Sequence, residues 1–137
     1  MAEIAVNEEF GVAADAVWER MADFGGLTWM PGVESCSVEG EGIGAVRAVA
    51  MGAMTIKERL ESLDPAARTL SYSIVAGPLP AENYLATITV SEQGSGCRVD
   101  WTARFDLPEG VDEAAIAPAV AKGYGGALKA LKKELEG

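Results

Sequence analysis

Histidine does not occur in the 137-residue chain. Its absence removes the commonest general base, the commonest metal ligand and every Ser-His or Cys-His nucleophile. Chemistry, if there is any, falls to Glu, Asp, Tyr, Lys, Arg or a cofactor. Cysteine is scarce as well. Cys36 and Cys97 are the only two, no CxxC spacing joins them, and in a reducing compartment such thiols read as small buried hydrophobes rather than as a disulfide, metal site or nucleophile. No apolar run approaches the ~18–20 residues of a membrane span. Basic residues are outnumbered, 11 Lys and Arg against 21 Asp and Glu, for a net charge of −10. Nucleic acid or an anionic membrane would meet a repelling surface, so neither is an expected partner. The segment MAEIAVNEEF lacks the basic and apolar stretches of a secretory signal, and a cytoplasmic location is expected from it.

What is present has the composition of a globular protein, with 49% hydrophobic and 23% charged residues. The length suits one domain over residues 1–137, large enough to enclose a cavity. EIAVNEEF reads as a first strand, and AADAVWERMADF as a short helix with Val17, Met21 and Phe24 on one stripe, stopped by Gly25-Gly26. Trp18 adjoins that stripe. Period-two alternation then runs near 34–39, 44–51, 54–63, 68–76, 82–91 and 97–106, with turn signals at Gly40-Glu41-Gly42, Asp64-Pro65, Gly77-Pro78 and Gly94-Ser95-Gly96. Short connections make these an antiparallel sheet of about seven strands.

The alternation puts Tyr72 in step with Leu70 and Ile74, Tyr84 with Ala86, Ile88 and Val90, and Trp101 with Val99, Ala103 and Phe105. From about Asp112 the period becomes helical, with Ile116, Val120, Tyr124, Leu128, Leu131 and Leu135 on one stripe and Lys122, Lys129, Lys132 and Lys133 largely off it. Pro118 should kink or restart that helix, and Gly123, Gly125 and Gly126 each cost it ~1 kcal/mol relative to Ala. Two compensations are open: the missing side chains leave room for a ligand, or they let the helix backbone close onto a bulky residue such as Trp101.

The stretch VRAVAMGAMTIKERLE holds the chief candidate site. As a hairpin turning at Gly52-Ala53 it pairs Met51 with Met54, Val49 with Ile56 and Arg47 with Glu58, all on one face. A charged pair then stands among apolar neighbours. Ion pairs taken out of water often only break even, so added stability does not account for it. It either fixes strand register or orients a ligand in an apolar pocket. In the second case Arg47 donates to a carbonyl, phenolate or carboxylate, and Glu58 accepts from a hydroxyl or acts as general base. Burial raises a glutamate and a facing arginine lowers it, which leaves the sign of the shift open. Tyr72, Tyr84 and Tyr124 can present hydroxyls to the same space or simply pack in the core.

The segments VWERMADFGGLTWMPGVESCSVEGEGIGAVR, ERLESLDPAARTLSYSI, PLPAENY and WTARFDLPEG, in that order, resemble polyketide cyclase/dehydrase-like proteins of the START (SRPBCC, birch-pollen-allergen-like) superfamily, and more distantly the plant abscisic-acid receptors. The resemblance implies an α+β helix-grip fold: a seven-stranded curved antiparallel sheet wrapped around a long C-terminal helix, with two short helices after strand 1 and an apolar pocket between sheet and helix. It also implies that Arg47, Glu58 and Tyr84 face the pocket, and that Trp29 and Met30, just before Pro31, lie at its mouth, Trp29 as a lid or a core anchor. Where those receptors hold a carboxylate-binding lysine this chain has Met30, and an acidic pocket position is Trp101. The gate loop is shortened to Met51-Gly52-Ala53, and Leu79 lies between prolines where a latch would be. Recognition of abscisic acid is not implied.

The ligand-lining set expected is thus Trp29, Met30, Val49, Met51, Met54, Ile56, Tyr72, Leu79, Tyr84, Trp101, Val120 and Tyr124. Three function classes follow. A carrier would hold an apolar, cyclic or aromatic molecule. A cofactor-independent cyclase, dehydratase or lyase would use Glu58 as base, Tyr84 or Tyr72 as acid and Arg47 to stabilise an oxyanion. An interaction subunit would bind no small molecule. GEGIGAVR is a strand-entry turn rather than a phosphate loop, and no metal or cofactor is expected. A homodimer is left open.

Overall fold

The computed structural model describes residues 2–137. The chain runs β1 (Ala2–Phe10), α1 (Ala14–Ala22), β2 (Ser35–Glu39), β3 (Val46–Met51), β4 (Met54–Asp64), β5 (Thr69–Ala76), β6 (Glu82–Gln93), β7 (Gly96–Asp106) and α2 (Glu113–Glu136). One antiparallel sheet has the order β1-β7-β6-β5-β4-β3-β2. Alternation in the strands puts Tyr72, Tyr84, Trp101, Val99, Ala103 and Phe105 on the buried face, which α1 and α2 cover. This is the helix-grip arrangement.

Two details depart from the expectations. Among the described residues α1 is the only helix between β1 and β2. In place of a second one, residues 23–33 form turns closed by Met30 N–H to Leu27 O at 3.0 Å and Val33 N–H to Met30 O at 3.2 Å. Gly25, Gly26, Pro31 and Gly32 leave too few helix formers in a row to sustain one. Nor does Pro118 break α2, which is assigned as helix throughout Glu113–Glu136. The proline falls in the second turn and forfeits a single N–H bond, while Asp112 caps the start by accepting from Ala114 N–H at 3.0 Å.

The hairpin has the register its sequence implies: Arg47 opposite Glu58, Val49 opposite Ile56, Met51 opposite Met54. Gly52 takes the positive φ of 62° that the first central position of a two-residue turn demands. Irregularities in β4 shift its pairing with β5 between Lys57 and Glu58 and again between Leu60 and Ser62, and such bulges bend a sheet. Another shift lies between Glu82 and Leu85, where Asn83 has φ 52°, and directly after it Tyr84 turns inward to stack on Phe105 at 5.3 Å.

α2 grips unevenly. Ala127, Leu128 and Leu131 in its second half are buried, and Glu134 and Glu136 tie its end to Arg20 at 2.9 Å and to Gly11 N–H at 3.0 Å. Its first half is more exposed, with Ile116 and Val120 only half-buried. The open wedge there is the cavity.

Candidate functional site

A cavity of about 780 Å³ lies between the sheet and the first half of α2. Arg47, Val49, Met51, Met54, Ile56 and Glu58 of the hairpin line it, with Tyr72, Tyr84 and Trp101 from the central strands, Val120 and Tyr124 from α2, and Met30 and Leu79 from loops. Of the residues expected from sequence only Trp29 stays outside this lining. It packs against the core, half-buried, with its indole N–H enclosed and unpartnered among the described residues. Leu27, Pro31, Ile74, Pro78, Pro80, Ala119, Lys122, Gly123, Gly126 and Ala127 complete the wall.

The α2 glycines divide between the two explanations. A Cβ built on Gly123 or Gly126 meets nothing within 4 Å, and both line the cavity, so their missing side chains leave volume. Gly125 faces the other way, where a Cβ would touch Val6 of β1 at 3.7 Å. Trp101 is met by a side chain rather than by helix backbone: Tyr124 stacks on it at 4.0 Å.

Arg47 is almost wholly enclosed. Its Nε donates to Glu58 Oε1 at 2.8 Å and a terminal nitrogen donates to Phe24 O at 3.1 Å, while the guanidinium lies 4.1 Å from the Phe24 ring centre and 5.0 Å from that of Tyr72. The guanidinium thus joins β3, β4, β5 and the turn after α1. Phe24, expected on the helical stripe, stands in the turn after α1 ends at Ala22, and supplies both a ring and a carbonyl. Burial pushes the Glu58 carboxyl above its ordinary value, against the opposing pull of Arg47.

A carboxyl raised in the fold binds its proton more tightly there than in the unfolded chain. Its contribution is therefore most favourable below the ordinary value of about 4.5, and it declines as pH rises from there through the folded-state value. Thermal melts of wild type and Glu58→Gln between pH 4 and 8 should show wild type losing ground to the variant as pH increases. A wild-type advantage that grows with pH would mean the carboxyl is lowered instead.

Beside this pair the three tyrosines form a polar cluster. Trp101 Nε1 donates to the Tyr72 hydroxyl at 3.2 Å, Tyr72 donates to Tyr124 at 3.4 Å, and the hydroxyls of Tyr124 and Tyr84 are bonded to each other. Burial raises all three phenols, Tyr84 to about 12, so they stay protonated at neutral pH. Three hydroxyl protons serve two bonds between tyrosines. One proton is left over, on Tyr84 or Tyr124, for an acceptor entering the cavity. Cys36 and Cys97 are both unpaired and burial raises each thiol. No cluster of metal-ligating side chains, and no helix long and apolar enough to cross a membrane, occurs among the described residues.

Comparison with known proteins agrees with this architecture. Among solved structures, the protein XoxI from Bacillus cereus is 32% identical, with a TM-score of 0.90 over 98% of this chain and 95% of that one. An uncharacterised protein from Bacillus thuringiensis is 31% identical, with a TM-score of 0.90 over 99% of this chain and all of its own. Ara h 8.0201, at 18% identity, shares the fold with a TM-score of 0.82 over 97% of this chain and 96% of that one. No curated protein matches. The family described as polyketide cyclase / dehydrase and lipid transport matches residues 1–136. With that match over nearly its whole length, the chain belongs to the polyketide cyclase/dehydrase and lipid transport family.

Proposed function

We propose that the protein binds a small apolar molecule, cyclic or aromatic, in the cavity between sheet and α2, with an oxygen acceptor of that molecule turned toward the tyrosine cluster. The observation that supports this reading is an apolar cavity of about 780 Å³ lined by three hydrogen-bonded tyrosine hydroxyls, whose two mutual bonds leave one proton unused. Arg47 and Glu58 are engaged with each other, so Arg47 offers only its remaining N–H groups. The test uses a matched pair, 2-acetylnaphthalene and 2-ethylnaphthalene. Each Phe substitution removes one hydroxyl proton and at least one bond between tyrosines, so the single and double variants all leave a donor in place. The triple variant Tyr72→Phe/Tyr84→Phe/Tyr124→Phe, which removes every hydroxyl proton of the cluster, should lose about tenfold in affinity for the ketone, a hydrogen bond's worth, and little for the hydrocarbon. Equal losses would remove the acceptor subsite, and no binding of either compound to wild type would favour an interaction subunit.

Burial of Glu58 favours a second reading, an enzyme of the cyclase, dehydratase or lyase type, because a carboxyl raised above its ordinary value is a stronger general base. Tyr84 would then be the acid and Arg47 the oxyanion partner. Glu58→Gln separates the two: a carrier keeps its ligand with modest loss, whereas an enzyme keeps binding and loses turnover.

A further inference from the structure

We infer that the molecule bound here carries a negative charge at the end nearest solvent, held by Lys122, and that the ligand class is an aromatic or polycyclic carboxylate or a similar organic anion. The inference rests on the cavity reading above and adds the polarity of the occupant. Among the described residues, Lys122 is the only charged one lining the cavity besides the mutually engaged Arg47 and Glu58. It is exposed, on the half of α2 that stands away from the sheet, whereas Tyr72 and Tyr84 of the tyrosine cluster are buried. Its neighbours three and four residues away on the helix are Pro118, Ala119, Gly125 and Gly126, none of which can pair with it. In a chain with 21 Asp and Glu, Lys122 nevertheless makes no ion pair among the described residues.

The surroundings make that cation selective. Apart from Glu58, the other partly or fully exposed lining residues, Met51, Met54, Pro78 and Leu79 among them, are uncharged, and Gly123 and Gly126 leave open space on the same helix beside Lys122. The overall charge of −10 repels an anion at a distance, so an anionic ligand requires a local cation at the point of entry. The apolar body then occupies the cavity, an acceptor meets the spare hydroxyl proton, and the anionic group stays hydrated at the mouth. This arrangement avoids burying the charge.

Two dyes with one N-phenylnaphthylamine frame test it: 8-anilinonaphthalene-1-sulfonate, which carries the anion, and N-phenyl-1-naphthylamine, which does not. Lys122→Gln should raise the Kd of the sulfonate about fivefold and leave the neutral dye within twofold, the size of effect expected for a solvent-exposed charge pair. Lys129→Gln, an exposed lysine of the same helix outside the cavity lining, should change neither. Added salt should weaken the sulfonate alone. Unchanged sulfonate binding in Lys122→Gln, or an equal loss in Lys129→Gln, would overturn the inference while leaving the cavity reading intact. Failure of both dyes to bind wild type would overturn the cavity reading and this inference with it.

Discussion

Replacing Arg47 with methionine should destabilise the fold by about 3–5 kcal/mol, on the order of 10–20 °C in Tm for a chain of this size. The loss comes less from the ion pair than from what remains. Glu58, with a side chain 13% exposed, is left without a partner in an apolar cleft, where it must either bear an uncompensated charge or take up a proton, and the Phe24 carbonyl loses its donor. Methionine fills much of the volume and still packs between the Phe24 and Tyr72 rings, so a cavity contributes little to the effect. Removing both charges should recover most of the loss: Arg47→Met/Glu58→Leu is expected within about 1–2 kcal/mol of wild type, since a hydrophobic replacement of a buried pair often breaks even. Chemical denaturation of the four members of the cycle measures this. A double variant as unstable as Arg47→Met would mean that the pair itself holds the register of β3 on β4. A near-native double variant that has lost its affinity for the ketone would place the pair among the ligand-orienting groups.

The second large effect separates stability from binding. Gly126→Ala puts a methyl group into open space on a helix, where the better helix former should add about 0.5–1 kcal/mol. Gly126→Leu extends into the cavity and should reduce the affinity of naphthalene-sized probes at least tenfold, with a Tm no lower than that of wild type. The opposite changes are the signature of a residue kept small for volume rather than for packing. If the glycine instead served close approach of the helix to the sheet, both substitutions would lower Tm. Gly125 provides the contrast, since its neighbour Val6 already lies 3.7 Å from where a Cβ would stand.

How far the sequence discloses this site depends on the element. The hairpin was legible because a two-residue turn with glycine at its first position and strict alternation leave one register, so Arg47 and Glu58 had to face each other on the apolar side. The residues of α2 that line the cavity were partly legible: three glycines close together signal missing volume, but not which of them face it. Lys122, off the apolar stripe, reads as a solvated residue, and it meets the cavity only because the first half of α2 stands away from the sheet. Phe24 and Trp29 were the least legible. Phe24 continues the stripe of α1 in sequence but falls in a turn past the helix end at Ala22, Trp29 lies in turns without periodicity, and no spacing rule indicates that a carbonyl meets Arg47 or that an indole lies outside the cavity lining. Bulges were hidden as well, and the one at Asn83 precedes the inward turn of Tyr84.

The most direct measurement is a titration of methyl-13C-methionine protein with N-phenyl-1-naphthylamine, followed by NMR. Met30, Met51 and Met54 line the cavity, whereas Met21 lies in the core on the buried face of α1. A ligand in the cavity predicts that the three lining methyl signals move together and saturate at one equivalent, with Met21 unchanged, and that Gly126→Leu suppresses the response. Static signals at all three, or movement confined to Met21, would contradict a binding cavity between the sheet and α2.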